Sequence, residues 1–168
     1  MKKIDYFNWF MKALLEEYEK DCKCDNARGG NNDLSKLKVL QLLFLSVAED
    51  EEKLNIFDNF VAWDLWPVEL DIYEKINLNN DLLAFEINNK SAREKNGVSI
   101  SENAIEEWKK MVLTLKTKNS NLIKSSASKL VDITHEWRCW RIGNMLWKLK
   151  LSKELILESN KFYGNEYF

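Results

Sequence analysis

Proline, glycine and histidine are scarce in this chain. Its 168 residues include one proline, five glycines and one histidine. Residues that interrupt helices are therefore few, and the many lysines, glutamates and leucines favour helices over strands. A single histidine also leaves little material for zinc sites built from cysteine and histidine. The composition predicts a mainly α protein without a metal.

The chain also lacks a strong net charge and a long apolar run. Its 25 basic and 27 acidic residues give a net charge of -2, so no global field attracts a nucleic-acid backbone or an anionic membrane. The longest apolar candidate, residues 40–48, is much shorter than the roughly 20 residues of a membrane helix. Asp5 interrupts the start where a signal peptide would be apolar. We expect a cytoplasmic protein with no membrane partner and no nucleic-acid partner.

The three cysteines suggest neither a disulfide nor a metal site. Cys22 and Cys24 are separated by a single residue, which is too close for an ordinary structural disulfide. Cys139 would add a third thiolate, but structural zinc sites normally pair Cys-x2-4-Cys with a second such pair or with histidines. We interpret all three as free thiols in a reducing compartment and expect no cofactor.

Apolar residues recur at three- and four-residue spacing along most of the chain, which is typical of helices packed on a core. Serine or aspartate at positions 33, 35, 126 and 152, and a capping-box spacing at 99–102, mark helix starts. Helices are predicted at residues 4–18, 34–47, 68–76, 105–115, 126–133 and 152–156. With the tryptophan-rich segment after position 136, the sequence predicts one compact domain of six to seven helices.

Three segments depart from this pattern. The acidic run at 49–52 is predicted as a solvated loop, and residues 88–97 as an exposed polar loop. Residues 56–63 are aromatic and β-branched, so we expect at most one small β element there. Pro67 suits the first turn of a helix, where its missing N–H is not needed.

His135 is the one candidate for catalysis. It lies near Asp132 and Glu136, so it could serve as a general base oriented by a carboxylate. No nucleophile motif such as Gly-x-Ser-x-Gly accompanies it, and a histidine that satisfies polar groups at a helix end is the commoner case. We predict that His135 is structural and joins its helix to the Trp140 segment, so that the protein is not an enzyme. A small hydrolase using His135 is an alternative.

Seven tryptophans in a chain of this size are unusual. Trp63 and Trp66 flank one loop, and Trp137 and Trp140 lie next to His135. The arginines beside the second pair could let it stack on single-stranded RNA, but buried tryptophans whose arginines pair with acids are the more ordinary arrangement. Because tryptophan is enriched at binding hot spots, both clusters are candidates for a protein interaction surface.

Three stretches read together resemble the Panacea domain, the SocA-like family of antitoxins and phage-associated proteins. They are residues 36–44 (KLKVLQLLF), 60–68 (FVAWDLWPV) and 130–135 (LVDITH). The family's glycine is replaced by Trp66 and its proline by Cys139. The motif positions are Leu37, Leu40, Phe44, Trp63, Pro67, Tyr73, Thr134, His135 and Trp140.

The resemblance implies a compact helical antitoxin that neutralises a cognate toxin, encoded by a neighbouring gene, by direct binding. Some relatives act as proteolytic adaptors, so a protease is a second expected partner. The Panacea-like region spans residues 34–163, and residues 1–33 form an N-terminal helix and loop outside it. We expect the partner surface to include Trp63, Trp66, Pro67 and Tyr73, because a tryptophan in place of glycine at a turn would lie near the surface. No oligomeric state is implied.

Overall fold

The computed structural model describes residues 2–100, 104–146 and 149–159, and these are mainly α-helical, which confirms the predicted fold class. The helices are α1 (Lys3–Cys22), α2 (Lys36–Val47), α3 (Glu51–Ile56), α4 (Leu70–Asn77), α5 (Ile105–Lys118), α6 (Ala127–His135), α7 (Arg138–Met145) and α8 (Lys153–Leu157). The strands are β1 (Phe60–Ala62), β2 (Pro67–Glu69), β3 (Phe85–Ile87) and β4 (Ala92–Glu94). Within this part of the chain, no helix is at once long enough and apolar enough to span a bilayer.

Serine caps fix the starts of three helices as the sequence predicts. The hydroxyl groups of Ser35, Ser126 and Ser152 each accept a hydrogen bond from the backbone N–H three residues later, which satisfies one of the unpaired donors at a helix start. The helix predicted from residue 105 begins at Ile105. Part of its predicted capping box, residues 101–102, lies outside the described residues.

The second half of the acidic run is helical, so the prediction of a solvated loop at 49–52 was wrong for Glu51 and Glu52. The Asp50 carboxylate accepts a hydrogen bond from the backbone N–H of Lys53 at 3.0 Å, and Glu51 and Glu52 occupy the first turn of α3. Negative charge at a helix N-terminus interacts favourably with the helix dipole. Asp50 therefore caps α3, and Glu51 and Glu52 begin it.

Pro67 lies in a strand and not in the first turn of a helix, which corrects a second prediction. It pairs with Ala62 at the turn end of the antiparallel hairpin that β1 and β2 form, and α4 begins three residues later. The predicted β element at 56–63 is shorter than expected, since β1 covers only Phe60–Ala62 and residue 56 ends α3.

A second hairpin, β3–β4, was not predicted, and β4 falls inside the loop expected at 88–97. The side chain of Asn32 anchors this hairpin to the connection after α1. Its amide nitrogen donates to the Ala92 carbonyl at 2.7 Å, and its oxygen accepts from the Ala92 N–H at 3.1 Å. A polar side chain thus takes the place of a neighbouring strand.

Aromatic rings connect the helices into one continuous core. Phe44 of α2 lies edge-to-face with Phe60 of β1 and with Trp137 before α7, at ring-centroid distances of 5.4 and 5.2 Å. Trp108 of α5 meets Phe10 of α1 in the same geometry at 6.3 Å. Such pairs stabilise a core beyond the area they bury. Phe44 of α2 is fully buried among them.

Residues 149–151, which we call the bridge segment, lie along β1 on the side opposite to β2. Ala62 N–H donates to the Leu149 carbonyl at 3.1 Å, and Leu151 N–H donates to the Phe60 carbonyl at 2.8 Å. Gly143 allows α7 to approach this pairing, because a Cβ atom there would lie 2.6 Å from the Cβ atom of Ala62. Helix α7 continues through Gly143 to Met145.

Lys3 ties the N-terminal helix to the first hairpin. Its ammonium lies 2.7 Å from Asp58, 2.6 Å from Glu69 and 2.5 Å from Asp71. Glu69 is fully buried and also accepts the N–H of Ile72 at 2.9 Å, which caps α4. Desolvation lowers the pKa of Lys3, but the hydrogen bonds to its three carboxylates raise it by more. Lys3 therefore stays charged and neutralises a buried carboxylate.

We predict that Lys3→Met lowers the free energy of unfolding by about 2 kcal/mol, because it leaves Glu69 buried without a counter-ion. The value is below that of a fully buried pair since Asp58 and Asp71 are partly exposed to water. Urea unfolding followed by circular dichroism measures the change. Lys90→Met, at an exposed loop position, is the control and should change stability by less than about 0.5 kcal/mol.

The comparison of wild type with Lys3→Met also gives a test of how stability depends on pH. The hydrogen bond from Lys3 lowers the pKa of Asp58. Burial raises the pKa of Asp71, but hydrogen bonds from Lys3 and Asn59 lower it by more. A carboxylate with a lowered folded-state pKa stabilises the fold above its unfolded pKa of about 3.9, and this contribution is lost as the pH falls further. Burial raises the pKa of Glu69, so protonation of Glu69 relieves the uncompensated charge in Lys3→Met as the pH falls. The stability gap between wild type and Lys3→Met should therefore begin to narrow above about pH 4 and narrow further below it. A gap that widens would contradict this account of the cluster.

Candidate partner-binding site

The motif residues of α2 and α6 mostly form core contacts. Leu40, Phe44 and Thr134 are buried, and Leu37 is half-buried at the edge of α2. The Thr134 hydroxyl donates to the Val131 carbonyl at 3.0 Å within its own helix. These positions support the fold. The remaining motif residues are Trp63, Pro67, Tyr73, His135 and Trp140.

Residues 63–66 form the turn between β1 and β2, here called the hairpin turn. The N–H of Trp63 donates to the carbonyl of Trp66 at 3.1 Å and closes it. The hairpin turn is also held from outside, because the Trp140 indole N–H donates to the Trp63 carbonyl at 3.0 Å. Nε2 of His135 lies 2.7 Å from the Leu65 carbonyl. Two ring nitrogens from the α6–α7 region thus fix two of the four backbone carbonyls of the turn.

His135 and Trp140 also stack on each other, and we call this pair the ring clamp. Their ring centroids are 3.8 Å apart and the planes differ by 13°. Stacked rings limit each other's rotation, so the two N–H groups keep a fixed spacing when they meet the hairpin turn. The ring clamp joins the second and third motifs of the sequence, which are 70 and 77 residues apart at these two contacts.

The environment of His135 is that of a hydrogen-bond donor. A carbonyl oxygen only accepts, so the 2.7 Å contact with Leu65 requires the proton on Nε2. Glu136, one of the two acids considered as an orienting partner, pairs instead with Arg141, and Arg141 also donates to the His135 carbonyl at 3.0 Å. Nε2 is thus engaged with backbone and is not available as a general base.

The tryptophans beside His135 offer little surface for nucleic-acid bases. Trp137 is fully buried and lies edge-to-face with Phe44, and one face of Trp140 is covered by His135. Cys139 is buried between them, and its N–H donates to the Ser159 hydroxyl at 2.9 Å. Base stacking needs an open aromatic face, and this segment uses its rings for internal contacts.

Trp63 and Tyr73 join the hairpin turn to α4. Their rings meet edge-to-face at 5.0 Å, and the ammonium of Lys36 lies 5.0 Å from the centre of the Tyr73 ring. Lys36 also donates to the side chain of Asn77 at 2.7 Å. Trp63 and Tyr73 are both half-buried, so each presents part of its ring to solvent and has little freedom to move.

Pro67 and Trp66 differ in what they can offer to a partner. Pro67 is one of the four predicted partner-binding residues, but it is buried. It can therefore contribute to a binding surface only by shaping the hairpin. Trp66 is half-buried, and its indole N–H is shielded from water without a hydrogen-bond partner among the described residues. A shielded donor without an acceptor costs on the order of 1–3 kcal/mol. Trp66 is therefore held in place by contacts of its ring and not by a hydrogen bond.

The most exposed apolar side chains near the hairpin turn were missed by the sequence reasoning. They are Leu65 (50% exposed), Met145 (79%), Leu146 (58%) and Leu149 (42%), and we call them the apolar rim. Leu149 aligns with Ala62 at the end of β1 that leads into the hairpin turn, and Met145 and Leu146 end α7. No local pattern in the sequence distinguishes these exposed side chains from apolar residues of the core.

The cysteines and one cluster of acidic residues contain potential metal ligands. Among the described residues, the group of potential ligands that lies close enough together is Asp58, Glu69 and Asp71, and the Lys3 ammonium contacts all three. Cys22 and Cys24 are half-buried free thiols near the end of α1, and Cys139 is a buried free thiol in α7. The acidic cluster therefore already has its cation.

No protein-family model matches the chain, and neither a curated protein nor a solved structure matches it significantly.

We predict that His135→Ala lowers the free energy of unfolding by about 1–2 kcal/mol, because it removes the hydrogen bond to Leu65 and the stacked face of Trp140. Amide exchange of residues 63–66 should quicken more than exchange in α5. Glu136→Ala is the control, since it removes only an exposed ion pair next to the same histidine. An unchanged exchange rate in the hairpin turn of the His135 variant would refute the ring clamp.

We also predict that a chelator leaves the melting temperature unchanged. The carboxylates of Asp58, Glu69 and Asp71 are neutralised by Lys3, so folding needs no divalent ion there. Thermal melting with and without excess EDTA tests this. A fall of more than about 2 °C, which would correspond to roughly 1 kcal/mol for a domain of this size, would contradict it.

Proposed function

We propose that the protein is an antitoxin-like binding protein that neutralises a cognate toxin through the hairpin turn and the apolar rim around it. The observation that carries this proposal is a turn with a half-exposed leucine at its tip, held in one conformation by two ring N–H groups. The resemblance to the Panacea family adds the class of partner. A protease that degrades the captured toxin is a further proposed partner.

Preorganisation is the physical argument for binding. A turn that is mobile before binding loses conformational freedom in the complex, and this cost weakens binding. The hairpin turn has its Trp63 and Leu65 carbonyls already fixed, and its two exposed residues are Asp64 and Leu65. Exposed apolar residues on a rigid support are typical of protein interaction surfaces, whereas scattered single residues on a flexible loop are not.

The same geometry favours binding over the two alternatives. A hydrolase using His135 would have to use Nδ1 as its base, because Nε2 donates to the Leu65 carbonyl. An RNA-binding module needs open aromatic faces and unpaired arginines. Trp137 is buried and Arg141 is paired with Glu136. His135, Trp137 and Arg141 thus have structural contacts that account for them, whereas Arg138 is exposed.

We predict that Leu65→Asp weakens neutralisation of the neighbouring gene's toxic product at least tenfold, because a charge at the centre of an apolar contact loses its hydration on binding. Growth of cells that co-express the two genes, and binding of the purified proteins by calorimetry, are the measurements. Leu113→Asp, which places the same charge at an exposed leucine of α5, is the matched control and should neutralise as wild type does.

Trp66→Ala completes this experiment. If the half-buried Trp66 ring is part of the contact, the variant keeps most of its stability and binds more weakly. If Leu65→Asp and Trp66→Ala both fold and both protect cells fully, the surface is elsewhere. If wild type neither binds nor neutralises the neighbouring product, the proposed function itself is wrong.

A further inference from the structure

The bridge segment forms the outer edge of a small sheet. In the order β2, β1 and bridge segment, β1 is paired on both sides. The hydrogen bonds between β1 and the bridge segment use the Leu149 carbonyl and the Leu151 N–H. Because N–H and C=O groups of successive residues point to opposite sides of a strand, those of Lys150 point away from β1.

The backbone groups of Lys150 have no partner among the described residues. No hydrogen bond joins its N–H or carbonyl to another described group, and the residue is exposed. One donor and one acceptor in extended geometry thus face outward, beside Leu149 of the apolar rim. An edge of this kind can pair with an added strand, whose main chain supplies an acceptor and a donor at matching spacing.

We propose that Lys150 pairs with an extended segment of the partner protein, which adds a strand to the sheet next to the hairpin turn. This inference rests on the proposed function and names the shape of the partner element. The segment would run antiparallel or parallel to residues 149–151 and place an apolar side chain on Leu149 and Leu146, which are 42% and 58% exposed.

Two features favour an extended segment over a helix. The first is the pair of unsatisfied backbone groups at Lys150, which a helix cannot pair because its own backbone groups are already bonded. The second is continuity, since Leu149 aligns with Ala62 at the start of the hairpin turn. An extended segment along this edge would therefore reach the hairpin turn and bind both features with one stretch of chain.

A short edge with a lysine also has an ordinary explanation, because edge lysines discourage unwanted pairing between proteins. The two readings differ in what Lys150→Pro does. Proline removes the outward N–H, and it leaves intact the Leu151 N–H and Leu149 carbonyl that hold the bridge segment to β1. Under our proposal binding weakens. Under the protective reading binding is unchanged or improves.

The experiment uses the full chain and the purified product of the neighbouring gene. We expect Lys150→Pro to raise the dissociation constant about tenfold, the effect of losing one hydrogen bond and leaving its acceptor unpaired. Lys150→Ala, which keeps the N–H, should stay within about twofold of wild type. Equal weakening by both variants would assign the effect to the side chain and overturn the proposal, as would no weakening by either.

Amide exchange in wild type provides a test that needs no variant to fold. The Leu151 amide, bonded to Phe60, should exchange slowly with or without the partner. The Lys150 amide should exchange quickly alone and at least tenfold more slowly when saturated with partner. If the partner binds and Lys150 is not protected, the edge assignment is wrong and the proposed function stands. If wild type binds no partner, both fail.

Discussion

Two ring N–H groups hold two backbone carbonyls of the hairpin turn, and the candidate site depends on that pair of hydrogen bonds. His135 reaches the Leu65 carbonyl and Trp140 reaches the Trp63 carbonyl. Their stacking at 3.8 Å fixes the spacing of the two donors. A four-residue turn between strands of three residues would otherwise have little to define its shape. The candidate site thus lies on the hairpin, and residues of α6 and α7 fix its conformation.

The N-terminal helix belongs to the same core although the resemblance leaves it out. Phe10 meets Trp108 of α5, and Lys3 neutralises the buried Glu69 that caps α4. Glu69 is also the last residue of β2. One ion pair therefore connects α1 to the base of the hairpin whose other end carries the candidate site. A change in α1 would be felt at the hairpin through this contact and through the shared core.

The sequence predicted what depends on neighbouring residues and missed what depends on distant ones. Serine caps and helical spacing are local signals, so most helices were placed correctly. Pro67 satisfies the local rule for a helix start, and only its pairing with Ala62 decides in favour of a strand. Of the residues predicted to bind a partner, Trp63, Trp66 and Tyr73 are half-buried and Pro67 is buried. Leu65 was overlooked because no local pattern distinguishes a displayed leucine from a core one.

The bridge segment has a consequence for when the candidate site can form during synthesis. Strand β1 finds its second partner about 90 residues later, at Leu149 and Leu151, and the ring clamp comes from residues 135 and 140. A chain emerging from the ribosome has displayed Trp63 and Leu65 long before the elements that shape them exist. Partly synthesised or truncated chains that end before residue 149 therefore present the apolar turn in no fixed conformation. They should be substrates for chaperones and proteases and should not compete with the complete fold for the proposed partner.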